Sequence, residues 1–233
     1  MRLVIATYNV HRCVGSDGRR DPDRVAAVIR ELDADVIGLQ EVDSRPSVEA
    51  GLDQVAYLAE ATGLVGIAGV TRQHDQGDYG NALLTRHPVC QLRRLDLSVP
   101  RREPRGAIEA EIEVDGVGCT VIVTHLGLKR RERRRQLAQL VADCFLRRER
   151  RPTVLLGDLN EWSGAGRVLH RLPPGFAWRA AASFPAWLPL LALDGMVAYP
   201  GAALASVGAH ASRLARRASD HLPVRGELRS DRI

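Results

Sequence analysis

The stretch AIEAEIEVDGVGCTVIVT, residues 107–124, decides the fold class. Ile108, Ala110, Ile112 and Val114 alternate with Glu109, Glu111 and Glu113, the period of two expected of a half-buried strand. Asp115-Gly116 suits a tight hairpin turn, and the apolar run Cys119–Thr124 follows it. A strand that doubles back so quickly must pair antiparallel. Working outward, Asn81–Leu84 and Val89–Leu97 are further strand-like runs, so a purely parallel α/β winding fits poorly.

The flanks alternate strand and helix. Leu3–Tyr8 reads as a buried strand ending in the polar turn Asn9–Gly18. Asp21-Pro22 opens a helix, with Asp as cap and Pro in the first turn, and Val25, Val28, Ile29 and Leu32 follow at helical spacing. Asp35–Leu39 is a second apolar strand, delivering Gln40 and Glu41 to its C-terminal end. A helix is expected over Leu52–Thr62, with Leu52, Val55, Ala56 and Ala59 on one face. A longer one spans Arg131–Arg148, with Leu137, Leu140, Val141, Cys144 and Phe145 inward. Thr153–Leu156, Leu193–Tyr199 and Leu222–Leu228 complete the strands. No repeat or low-complexity linker interrupts them, so the chain reads as one α+β domain of two packed sheets flanked by helices.

Composition narrows the classes. With 45% hydrophobic and 26% charged residues in 233, the chain can bury a core without metal or disulfide. Cys13, Cys90, Cys119 and Cys144 are scattered without a Cys-x-x-Cys pair, which argues against a zinc site or disulfide framework. The opening MRLVIATYNV turns polar at once and predicts no signal peptide. The apolar region Ala180–Ala205 is broken by Pro185, Pro189, Asp194 and Pro200, short of the roughly 20 apolar residues a membrane helix needs. A cytoplasmic protein is expected. The net charge of +5 favours anionic partners, although a single lysine among 33 basic residues also fits a compositional bias toward arginine.

Several apolar strands end in residues suited to metal or phosphate chemistry. Asn9 follows the first and Glu41 the second; His125 follows Cys119–Thr124; Asp158 and Asn160 follow Thr153–Leu156; Ser219-Asp220-His221 precedes the last. Magnesium and manganese take hard oxygen donors, often only one or two carboxylates, and Glu41 and Asp220 meet that need. His125 and His221 can move protons near neutral pH. Singly, each has an ordinary reading: Asn9 caps a turn, Gly157-Asp158-Leu159-Asn160 is a turn, His125 is a satisfied core histidine, and Glu41, Asp220 and His221 lie on the surface.

The segments YNVH (Tyr8–His11), LQEVD (Leu39–Asp43), THLG (Thr124–Gly127), GDLN (Gly157–Asn160) and SDHLPV (Ser219–Val224) resemble, in order, the signature of the endonuclease/exonuclease/phosphatase superfamily. The resemblance runs from Ala6 to Val224 and includes deoxyribonuclease I, bacterial neutral sphingomyelinases and inositol polyphosphate phosphatases. It implies a four-layer α/β/β/α sandwich over residues 1–233 and a phosphoester hydrolase using Mg²⁺, with Mn²⁺ able to substitute. It implies Glu41 as principal metal ligand with Asn9 and Asp220 nearby, His221 as general base, and Asp194 orienting that imidazole. Asp158 would position water or assist proton transfer, Asn160 would bind the scissile phosphate, and His125 would donate to the phosphoryl oxygen or leaving group.

Two further segments carry weaker resemblance. In Arg102–Ala107, Glu103 could pair with His125 or Arg105 could reach a phosphate; Tyr79-Gly80-Asn81 resembles a segment lining the same cleft, with Asn81 on phosphate. Gly195 and Met196 depart from the pattern, since relatives commonly place Arg, Tyr or His after this aspartate. His125 argues against the apurinic-endonuclease branch. His11, His74, His87, His170 and His210 lack comparable context and read as structural.

Nucleic acid leads as substrate because of the arginine excess, although 4% aromatic residues rule against an extensive base-stacking platform. The segment Phe184–Leu191 leaves a lipid surface as the alternative if Trp187 and Leu188 are exposed; burial is expected of them. A small phosphomonoester and a non-catalytic phosphate-binding role are the remaining readings. The run Lys129–Arg135 either lines the substrate or solvates a helix end, the solvated face being the commoner outcome, with its first members close enough to His125 that they could reach a polyanion; Arg147–Arg151 complements the helix dipole.

Overall fold

The computed structural model describes residues 1–44, 53–74, 77–145, 151–162 and 168–229. Strand β1 (Arg2–Asn9) leads into helix α1 (Pro22–Leu32), where the Asp21 side chain accepts from the Arg24 amide at 2.9 Å as the expected cap. Strand β2 (Val36–Asp43) returns parallel to β1, with Asn9 opposite Gln40. Helix α2 (Gln54–Thr62) and strands β3 (Val65–His74), β4 (Gly77–Thr85) and β5 (Val89–Asp96) follow. The β6–β7 hairpin (Gly106–Val114, Val117–His125) turns on Asp115 and Gly116, both at positive φ (51° and 75°).

Helix α3 (Arg130–Leu140) ends in a π-helical turn, Val141–Phe145, and strand β8 (Thr153–Asp158) runs parallel to β7. Strands β9 (Ala177–Ala180), β10 (Asp194–Tyr199) and β11 (Leu204–Ala209), the single turn α4 (Ala215–Ala218) and β12 (Val224–Arg229) complete the chain. One sheet has the order β11-β12-β1-β2-β4-β3 and the other β5-β6-β7-β8-β10-β9, each antiparallel except for its one parallel pair. This is the expected deoxyribonuclease I-like fold.

Three apolar clusters hold the layers together. Leu3, Ile5, Leu83, Ile108, Val123 and Leu156 pack between the sheets. Val25, Ile29, Leu32, Leu39 and Leu58 lie between the first sheet and α1 and α2; Ile122, Leu137, Leu140 and Leu155 lie between the second sheet and α3. Each fully buried side chain of this size contributes roughly 1.5–3 kcal/mol.

The details differ from expectation in informative places. Strands β3, β9 and β11 were not predicted, because glycines and alternating polar residues blur the pattern in VGIAGVTRQH and LASVGA. In α2 the buried residues are Gln54 and Leu58, Val55 and Ala59 are partly buried, and Ala56 is exposed; Leu52 and the expected helical residues 146–148 lie outside the described residues. The arginine run is not uniformly solvated. Arg133 is buried, donates to Glu161 at 2.7 Å and to the Leu128 carbonyl at 2.7 Å, and so clamps α3 to the loop after β8. All four cysteines are free. Among the described residues no helix is long and apolar enough to cross a membrane.

Candidate active site

The two parallel pairs create the site. Strand β1 ends at Asn9, opposite Gln40 of β2, and β7 and β8 end in register at His125 and Asp158. Strands β10 and β12 run opposite to their neighbours, so they begin where the others finish, with Asp194 first in β10 and His221 three residues before β12. Six strands from both sheets thereby bring their polar ends to one edge of the sandwich.

Glu41 lies inside β2 and not beyond its end. A bulge against β4 between Leu39 and Val42 places it at φ 57°, outside regular strand geometry. Leu39 and Val42, three apart, both join the helix-side core, so the bulge takes up the extra residue and turns Glu41 to the edge. The Asn9 amide nitrogen donates to Glu41 Oε1 at 3.1 Å and to Asp158 Oδ2 at 3.2 Å, so one amide bridges the sheets. Asn9 Oδ1 accepts from the His11 amide at 3.0 Å, and Ser219 Oγ donates to the Asn9 carbonyl at 2.7 Å.

His221 is clamped by acids. Its Nδ1 donates to Asp194 Oδ2 at 2.7 Å, and Nε2 lies 3.9 Å from Asp158 Oδ2. Ser183 Oγ also donates to Asp194 Oδ2, at 2.5 Å. Burial opposes the charge on His221, but the field and hydrogen bond of Asp194, with Asp158 and Asp220, outweigh it and raise the imidazolium to about 10. Burial and the Asp194 charge push Asp158 up to about 7. His125 Nε2 stands 3.4 Å from Asp158 Oδ2; burial, then the positive charges of Arg105 and His221, drive it well below the ordinary histidine range. The two histidines are thus split, His125 neutral and His221 cationic.

The remaining expected residues divide. Asp220 is partly exposed, 3.6 Å from His11 Nδ1. Asn160 is buried at φ 52°; its backbone amide donates to Asp158 Oδ1 at 3.0 Å and its side-chain nitrogen to the Leu126 carbonyl at 2.9 Å. Asn81 donates to the Gly106 carbonyl at 3.0 Å, tying β4 to β6 across the sheets. Glu103 does not pair with His125; it accepts from Arg105 at 3.0 Å and faces Arg72 at 3.7 Å. Arg105 is 6% exposed, and its Nε is buried without a partner.

Sequence reasoning missed three residues. His11 lies within YNVH but reads alone as a turn histidine. Ser183 had no signal, and Phe184 only that of an apolar segment, since tertiary folding alone sets Ser183 on Asp194 and the Phe184 ring 4.9 Å from that of His221. Trp187 and Leu188 reverse expectation: they are 67% and 49% exposed. A reverse turn explains it, with Leu190 and Leu191 amides both bonding the Phe184 carbonyl, so residues 187–190 project outward.

The donor set fits a hard divalent cation. Glu41 Oε1 lies 3.1 Å from the Asn9 side-chain nitrogen, and Asp220 Oδ1 lies 3.4 Å from Ser219 Oγ, which itself bonds the Asn9 carbonyl; both carboxylates are hard oxygen donors. Asp158, Asp194 and His221 also place ligand atoms within 4.8 Å of one another. Asp194 Oδ2 already accepts from His221 and Ser183, while its Oδ1 is buried without a partner.

Residues 6–221 match the model of the Endonuclease/Exonuclease/phosphatase family. The chain belongs to that family. Members of the endonuclease/exonuclease/phosphatase family are generally metal-using hydrolases of phosphoesters. The chain is 28% identical to Uncharacterized protein YbhP of Escherichia coli (strain K12), over 96% of this chain and 95% of that one. It superposes on the crystal structure of a family member from Beutenbergia cavernae with a TM-score of 0.78 and 25% identity, over 98% of this chain and 71% of the other. A mannosyl-6-phosphatase of Bacteroides thetaiotaomicron shares the fold at a TM-score of 0.76 and 18% identity, over 97% and 99%.

Proposed function

We propose that residues 1–233 form one divalent-metal-dependent phosphoesterase domain that hydrolyses phosphodiester bonds, with nucleic acid the leading substrate class. The supporting observation is the continuous chain Asp194–His221–Asp158–Asn9–Glu41, in which a buried, oriented imidazole meets an oxygen-rich cation site. Glu41, with Asn9 and Asp220 beside it, would hold Mg²⁺ or Mn²⁺. When bound, the ion supplies a Lewis acid for the phosphoryl oxygens.

The protein's own groups do the rest. Asp194 fixes the His221 tautomer, leaving Nε2 to face Asp158 and the attacking water. His221 accepts the water proton in its neutral form, against the field and hydrogen bond of Asp194 first, then the charges of Asp158 and Asp220, which favour its protonated form. Asp158 orients that water. His125, neutral and bearing one ring N–H, donates a hydrogen bond, and no proton, to the phosphoryl oxygen or leaving group. Asn160 supplies amide polarity to the phosphate, and Arg105 a buried positive charge.

Glu41→Gln and His221→Ala are each expected to lower metal-dependent hydrolysis of bis-(p-nitrophenyl) phosphate by at least about 10²-fold. Undiminished hydrolysis by both variants removes this mechanism.

One observation favours a second reading, a phosphodiester carried by a lipid. Trp187, Leu188 and Leu190 are 67%, 49% and 72% exposed on the loop whose Phe184 packs on His221. Arg216 braces that loop from outside, donating to the Ala186 and Trp187 carbonyls at 3.2 Å. An apolar tip flanked by arginine is suited to an anionic membrane surface.

A further inference from the structure

A concentration of positive charge adjoins the acid-rich catalytic cluster. Between the loop before β6 and the start of α3 lies a cavity of about 350 Å³, lined by four arginines (Arg72, Arg101, Arg102, Arg105), by Lys129 and by two acids. Both acids are already engaged. Glu103 is shared between Arg105 and Arg72. Glu132 accepts from the Lys129 backbone amide at 3.4 Å and presses so close to Gly127 that an added Cβ there would sit 1.9 Å from its carboxyl carbon. Among the described residues no carboxylate engages Arg101, Arg102 or the Lys129 ammonium.

Arg105 belongs to both places. It lines the cavity, its Nε is buried without an acceptor, and its charge reaches His125. A buried guanidinium left with an unpaired N–H is costly, and clustered cations repel; an anion in the cavity that Arg105 lines offsets that repulsion and offers its guanidinium an acceptor. Arginine forks match the oxygens of a phosphate better than any neutral group. The solvated-surface account covers Arg101 and Arg102, but it leaves the orphaned Arg105 nitrogen unexplained.

We propose that this cavity is a subsite for a second phosphate of the substrate, beside the scissile phosphoester on the His125 side. The proposal rests on the phosphoesterase reading for its substrate. It specifies what that reading leaves open: the preferred substrate carries a neighbouring phosphate. A nucleotide chain or a phosphorylated lipid headgroup supplies the same chemistry.

Two pairs of substrates distinguish these sources: thymidylyl-thymidine with and without a 5′-phosphate, and phosphatidylinositol 4-phosphate against phosphatidylinositol in mixed micelles. In at least one pair, the wild-type protein is expected to prefer the phosphorylated member by tenfold or more in kcat/KM. Arg101→Ala/Arg102→Ala/Lys129→Ala is expected to bring that ratio near one. A ratio near one in both wild-type pairs, or one preserved in the triple variant, overturns the subsite.

Binding gives a readout separate from turnover. Titration calorimetry with inorganic pyrophosphate in chelator-containing buffer is expected to show at least tenfold weaker binding by the triple variant, and equal affinity overturns the proposal. Absence of any hydrolysis together with that tenfold difference would sink the phosphoesterase reading and leave the anion subsite standing.

Discussion

Asp194 shows how much of the site depends on one carboxylate. Its Oδ2 accepts from both His221 and Ser183, while Oδ1 is buried without a partner. Asp194→Asn keeps the shape but offers His221 an amide in place of a pure acceptor. Turnover of bis-(p-nitrophenyl) phosphate is expected to fall by about 10²–10⁴ with KM little changed, by analogy with the wrong-tautomer effect in a serine-protease triad; a fall below threefold contradicts the orienting role. The same residues set a pH dependence. His221, raised from 6.5 to about 10, stabilises the fold fully below about pH 6.5 and loses that contribution as pH rises through 10. Asp158, raised from 3.8 to about 7, is favoured by the fold in its protonated form, so its burial costs more as pH rises through 7. The melting temperature in chelator is therefore expected to fall between pH 6 and pH 10; a flat or rising profile by scanning fluorimetry is incompatible with these shifts. Residue types were legible in sequence at this scale, but hydrogen-bond partners were not: Glu103 takes arginines and not His125, because strand register brings Asp158 to His125 first.

Among the elements, the parallel β7–β8 pair governs the centre of the site. Gly157 lies opposite Thr124, and a Cβ built on it would sit 1.9 Å from the Thr124 carbonyl oxygen. No side-chain rotation relieves a clash with backbone, so Gly157→Ala is expected to cost about 3 kcal/mol or more, at or above the upper end of ordinary overpacking. Urea denaturation reads that cost; a loss below 1 kcal/mol would mean that the strands separate freely. Activity should fall with it, because the same register sets His125 beside Asp158. The hairpins, the Asp21 cap and most strands were readable from alternation and turn chemistry, which are local. The β2 bulge was not, since LQEVD has the residues of a strand end and only pairing with β4 reveals the extra residue.

At the scale of the whole molecule, the edge where six strands begin or end is flanked by the apolar loop 187–190 and by the arginine-lined cavity. Trp187→Ser/Leu190→Ser removes exposed apolar area and leaves the core untouched, so stability should stay within about 0.5 kcal/mol. If the lipid reading holds, sedimentation with phosphatidylserine-containing vesicles is expected to drop at least fivefold in this variant; unchanged sedimentation counts against it. Buried packing was expected of this segment from its composition, and the tight turn closed by Phe184 and Leu191 exposes it instead. The sequence by itself determined most of the strands, the three longer helices, the antiparallel centre and the five ordered polar segments, because alternation, capping and turn preference act between near neighbours. Only the tertiary structure decided that Ser183 and Phe184 attend the His221 imidazole, that Asn9 spans Glu41 and Asp158, and that Arg105 opens onto a cationic cavity. Those contacts join residues up to 149 positions apart, and their geometry follows from how two sheets stack, which no short window of sequence encodes.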